Sequence, residues 1–191
     1  MVRRKTRLHY SATTNSCFLW LVSAAGLLGY EEDNRVRETE RITDQAGKMF
    51  DGGAWHGPSV MEVLADVDAN MAADHPIPGA HSIWELTLHL IATQAVLLQR
   101  IRGETAGLAS EEFWPEVPQV SASAWAETVE RLKQQEAELR QRIGTFPEEQ
   151  LNALLTAEGS SAYNNFHGHI QHNAYHAGQI SLLKKASRTV L

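Results

Sequence analysis

The chain has 191 residues, enough for one domain with a sizeable buried core, and 43% of them are apolar, which argues against wholesale disorder. Its 17 basic and 23 acidic residues leave a net charge of −6, which argues against binding nucleic acid through a broad basic face. The single cysteine, Cys17, excludes an intramolecular disulfide and, in the body of the chain, both thiolate metal sites and a cysteine nucleophile.

The first thirty residues differ from the rest. They hold Arg3, Arg4, Lys5 and Arg7 and no acid, so the remainder carries 13 basic against 23 acidic residues. A short apolar run from Cys17 to Leu28 follows, which has the outline of a secretory signal. Its small residues, Ala24 and Gly26, interrupt the apolar run instead of following it. The simpler expectation is an upstream extension over 1–35, from a start codon assigned too early, with the folded domain over 36–191 and a cytoplasmic location. No apolar run reaches the roughly 18 residues needed to span a bilayer, so no membrane partner is expected.

From Arg35 onward the pattern is helical. Ile42, Ala46, Met49 and Phe50 form one stripe at i, i+4, i+7, i+8, which predicts a helix over about 37–50. Ser59 and Glu62 form a capping-box pair that opens a short extra helix, broken by Pro76, Pro78 and Gly79. Ser82 and Glu85 repeat the capping pattern and open a long helix to about Arg102, ended by Gly103. Trp125, Val129, Leu132, Leu139 and Ile143 mark one face of a helix over about 121–143, closed at Gly144, with the charged run 127–142 expected as its solvated face. Ser160 or Ser161 caps a last helix to about Ala186. No alternating β-branched run, internal repeat or low-complexity block appears, so the fold class is all-α, a helix bundle of four substantial helices.

Histidine is the unusual component: nine in all, four of them (His167, His169, His172, His176) within ten residues of the last helix. His172 and His176 are four residues apart and share a face, so both imidazoles can point at one metal ion. The pair also fits ordinary border histidines. His89 lies on a stripe with Leu86, Ala92, Thr93 and Val96, which suits a hydrogen-bonded core residue as well as a ligand. A bundle can nevertheless bring two inward faces to one point. Three imidazoles from two helices then make a metal site with an open position for water or substrate. His167 and His169 are not expected as ligands of the first set. Residues placed near a pocket or behind the ligands are His56, beside Trp55 in a Gly/Pro-flanked loop; Glu85, one turn before His89; Trp84; and His169. There is no P-loop, dinucleotide-binding fingerprint, Gly-x-Ser-x-Gly elbow or Cys-x-x-Cys.

The strings His81-Ser-Ile-Trp-Glu-Leu-Thr-Leu-His89 and Gln171-His-Asn-Ala-Tyr-His-Ala-Gly-Gln-Ile180 resemble the DinB-like superfamily of metal-binding four-helix bundles, over about 37–187. The Phe50–Ser59 stretch and Pro76-Ile-Pro-Gly79 look like one branch of it. The resemblance implies an up-down-down-up bundle, a homodimer, and a zinc or nickel ion held by His89, His172 and His176. It also implies relatives that are thiol-dependent transferases and isomerases. Two functions follow as expectations. One is a metal-dependent enzyme that activates water or a low-molecular-weight thiol towards a small-molecule substrate. The other is a non-catalytic, dimeric metal-binding module with a structural or sensing role, favoured if a fourth protein ligand such as His169 or Glu85 closes the shell.

Overall fold

A computed structural model describes residues 36–104, 110–155 and 159–189. The expected extension over 1–35 lies outside them. Among the described residues there are six α-helices and no strand: α1 (Glu38–Asp51), α2 (Val60–Leu64), α3 (Ala69–Ala73), α4 (Ile83–Ile101), α5 (Ala122–Gly144) and α6 (Ala162–Thr189). The fold class is all-α, as the periodicity predicts. No helix among these residues is long and apolar enough to cross a membrane.

The starts of the helices follow from their caps. Ser59 and Ser82 each accept the amide three residues on, while Glu62 and Glu85 reach back to the cap amides, so both capping boxes are complete. Ser121 and Ser161 accept from Ala124 and Asn164 at the starts of α5 and α6. Gly103, at φ 75°, ends α4 in the left-handed region, where glycine meets no Cβ penalty. Two details differ from the sequence reading. The segment between α1 and α4 holds two short helices, because Asp68 accepts the Met71 amide and starts a second one. Gly144 does not stop α5 by a positive φ. It is still helical, and its missing Cβ faces Thr43 of α1.

The four long helices form a closed ring of contacts. α5 packs on α1 and α4, and α6 packs on the same two, which leaves α1 and α4 as the diagonal pair. Hydrogen bonds between His89 and His172 at one end, and Arg100 and Asn165 at the other, show that α4 and α6 run antiparallel. The core is split. One apolar cluster gathers Trp84, Leu90, Leu132 and Ile180, and a second gathers Leu97, Leu139, Ile143 and Phe166.

Gln94, Glu136, His169 and Asn173 occupy the helical positions between the two clusters, and all four are buried. Glu136 accepts hydrogen bonds from Gln94 Nε2 (2.9 Å) and His169 Nε2 (3.0 Å), with the Arg140 guanidinium 3.9 Å from its other oxygen. This corrects the expectation of a wholly solvated charged face over 127–142: Glu136 is 0% exposed. It shares the stripe of Leu132 and Leu139, so the bundle buries it with them.

Leu132 is fully buried in the first cluster, whereas Leu182 is 61% exposed. Leu132→Ala is expected to destabilise the protein by about 2–5 kcal/mol, and Leu182→Ala by less than about 0.5 kcal/mol, in urea unfolding followed by circular dichroism.

Candidate metal centre

The site is built where α4 meets the middle of α6. His89 lies two turns into α4, one turn beyond its capping box, and faces inward with Leu86 and Ala92. His172 and His176 lie one turn apart on α6. The three imidazoles converge: His172 Nε2 lies 3.1 Å from His89 Nε2 and 3.0 Å from His176 Nε2. One donor atom from each lies within 4.8 Å of the others, and no further Asp, Glu, His or Cys of the described residues joins them.

The far nitrogens decide what the converging ones can do. His89 Nδ1 donates to the Phe113 carbonyl (2.8 Å), which reaches over from the 3₁₀ turn Ser110–Phe113. His176 Nδ1 donates to Gln179 Oε1 (2.6 Å), and Gln179 Nε2 in turn donates to the Tyr175 hydroxyl, which holds the amide carbonyl towards the histidine. With their protons held at Nδ1, His89 and His176 present lone pairs at Nε2. His172 stands between those lone pairs, and a single proton on it cannot satisfy both fully. A cation can. The separations also suit one, since Zn–N bonds of about 2.0–2.1 Å in a tetrahedron place neighbouring nitrogens about 3.3 Å apart.

Burial and mutual repulsion keep the rings neutral. Burial, then the positive forms of His176 and His89, push the His172 imidazole down to about 3. Burial also lowers His89, against the partial opposition of its bond to Phe113, and lowers His176, against its bond to Gln179. Neutral imidazole is the form that ligates a metal.

Trp114 packs on this centre in a way the sequence does not disclose. Its ring is stacked between His89 (centroids 4.1 Å apart) and His81 (3.7 Å), forming a three-ring pile that fixes the plane of His89. No helical period links these residues, because Trp114 arrives from the loop after α4.

The residues expected around the ligands are placed differently. Glu85 does not orient His89. It is committed to the Ser82 amide, with His75 (3.1 Å) and His81 (3.5 Å) beside it. Trp84 is fully buried in the core, donates to Thr128 Oγ1 and meets Trp125 edge-on, so it is no pocket wall. His56 is exposed and contacts Met49 Sδ, with Trp55 beside it open to solvent. His169 turns its Nε2 to Glu136 instead of joining the trio.

A sequence-family model described as the DinB superfamily matches residues 55–180, a span that contains all three histidines, Trp114 and Gln179. No curated protein and no solved structure matches the chain.

Two outcomes test this geometry. Gln179→Leu, which frees the His176 ring, is expected to weaken divalent metal binding about 10–100-fold in a competitive chelator titration. The metal-free protein is expected to lose stability on acidification. Unfolded histidine takes up a proton near 6.5, while folded His172 resists until about 3, so the unfolded state binds more protons across that window. The urea midpoint in chelator should fall between those pH values, and fall less in His172→Phe.

Proposed function

The chain belongs to the DinB superfamily, and we propose that it holds a divalent cation, zinc or nickel, between His89, His172 and His176. The reaction class we assign is activation of water or of a low-molecular-weight thiol towards a small-molecule substrate, as in a hydrolase or a thiol transferase. The observation that carries this reading is the convergence of three Nε2 atoms from two helices, two of them with their far protons already held. The donor set suits such an ion, being three neutral imidazoles with no competing carboxylate in the group.

Openness of the shell favours catalysis over a structural role. The two side chains that could have closed it are engaged elsewhere, His169 with Glu136 and Glu85 with the start of α4. Three protein ligands leave at least one position free. A divalent ion in such a position supplies acidity, bringing the pKa of a coordinated water towards about 7. The chain's own contribution is orientation. Phe113 and Gln179 keep the protons of His89 and His176 away from the centre, and Trp114 covers one face of His89. No protein thiol is required, in keeping with a chain whose single cysteine, Cys17, precedes the matched region.

Metal analysis after reconstitution and desalting tests the reading. About one ion per chain is expected for the wild type, and an affinity at least about 100-fold weaker for His172→Ala, since partners behind the ligands are already worth 10–100-fold. A reconstituted wild type without metal contradicts it. A loaded protein in which the metal exchanges neither water nor thiol supports the non-catalytic module instead.

A further inference from the structure

A groove of about 270 Å³ runs between α4 and α6, away from the histidine trio. On the α4 side it is lined by Thr93, Leu97 and Arg100, which follow one another at i, i+4, i+7 along a single stripe. On the α6 side it begins at His172 and passes Gly168 to reach Asn165. One end of this groove is therefore a residue of the proposed metal site, and the other is a guanidinium.

Arg100 is unusual in its surroundings. Its Nη1 donates to Asn165 Oδ1 (3.3 Å), while its Nε is buried without a hydrogen-bond partner. No carboxylate of the described residues lies within ion-pair distance of it, although Arg102, two residues on, is paired with an acid. A half-buried guanidinium left in this state has strong, directional capacity for an anion. The Asn165 amide cannot supply a competing charge, and its own NH₂ is occupied by Ser160 Oγ and the Ser161 carbonyl. Among the described residues Arg100 is the one lysine or arginine lining the groove, which matches a single negative charge better than a phosphate dianion.

Two further features shape the groove. The α6 start lies at the Arg100 end, and its partial positive charge adds to that of the guanidinium, although the first amides are taken by Ala153, Leu151 and Ser161. Gly168 leaves the floor open. A Cβ built there meets nothing within 4 Å, so the absent side chain makes room without being demanded by the packing.

The geometry points to an anion subsite: the substrate carries a carboxylate that Arg100 receives, while its reactive end lies at the histidine trio. This inference rests on the metal-site reading given above and specifies its substrate class. The span follows from the helix. Asn165 and His172 are seven residues apart on α6, about 10 Å at 1.5 Å per residue, so carboxylate and reactive atom are separated by about that length. The chain is acidic as a whole, so the local guanidinium supplies attraction that the net charge of −6 does not.

The test uses the full chain loaded with Co(II), which reports thiolate coordination by a charge-transfer band. The probes are 6-mercaptohexanoate and 6-mercapto-1-hexanol, equal in length and differing in the terminal carboxylate. The wild type is expected to bind the carboxylate at least about tenfold more tightly, the usual scale of a charge-assisted hydrogen bond. Arg100→Gln should bring the two probes to equal affinity while Co(II) uptake stays unchanged. Gly168→Leu, which fills the groove from an open helical position, should weaken both probes without releasing the metal. Equal affinities in the wild type, or a carboxylate preference that survives Arg100→Gln, overturns the subsite and leaves the metal site standing. A protein that takes up Co(II) but gives no thiolate band with either probe rules out a thiol-accepting site in the groove and with it this inference. Failure to take up Co(II) at all refutes the metal-site reading itself, a separate result.

Discussion

Two imidazole nitrogens each held about 3 Å from a third, in a half-buried setting, are the constraint around which this bundle is arranged. Lone pairs at that separation repel unless a proton or a cation stands between them; neutral His172 has one ring proton for two neighbours, and burial disfavours its charged form. The outer contacts remove the remaining freedom. Phe113 and Gln179 each hold a proton on the far nitrogen, so the inner nitrogens of His89 and His176 have no other role than to donate electrons. The Trp114 ring, lying flat against His89 and on its other side against His81, fixes the ring plane through packing.

That arrangement survives only if α4 and α6 stay in register, since a slip of one residue along either helix moves a ligand by 1.5 Å and rotates it by about 100°. The buried polar layer next to the site supplies the registration. Glu136 of α5 takes hydrogen bonds from Gln94 of α4 and His169 of α6, so three helices are tied at one level between two apolar clusters. Apolar packing alone tolerates sliding more readily than a hydrogen-bonded triad with fixed donors and acceptors. The layer therefore couples a feature of stability to the precision of the site beside it. At the outer surface, Asp66 binds both Lys184 and Arg188 and is lowered to about 2 by them, fastening the α2–α3 segment to the end of α6.

What could be read from the residues alone divides along physical lines. Helix identity, the two capping boxes and the inward stripe of α1 depend on local spacing, and they appear as the spacing predicts. Spacing alone leaves His89 and the His172/His176 pair open between ordinary buried or border histidines and ligands; the resemblance to the DinB-like superfamily names the trio, and the structure brings the three together. Contacts made by loops were not legible. Trp114 and the Phe113 carbonyl reach the site from the 3₁₀ turn after α4, and no period links them to His89. Glu85, one turn before His89, is taken by the capping of α4, and Trp84 lies in the core, so neither stands behind the ligands. Glu136 was the opposite case. Its position between Leu132 and Leu139 on the apolar stripe marked it for burial, while its charge suggested solvent.

X-ray absorption at the metal edge of the reconstituted protein tests the account most directly, because multiple scattering from imidazole rings counts histidine ligands without reference to activity. Three imidazoles and at least one additional light-atom ligand are predicted, with one imidazole fewer in the variant lacking the His89 side chain. A metal surrounded by carboxylate and water oxygens with no imidazole scattering, or an unchanged spectrum in that variant, would contradict it.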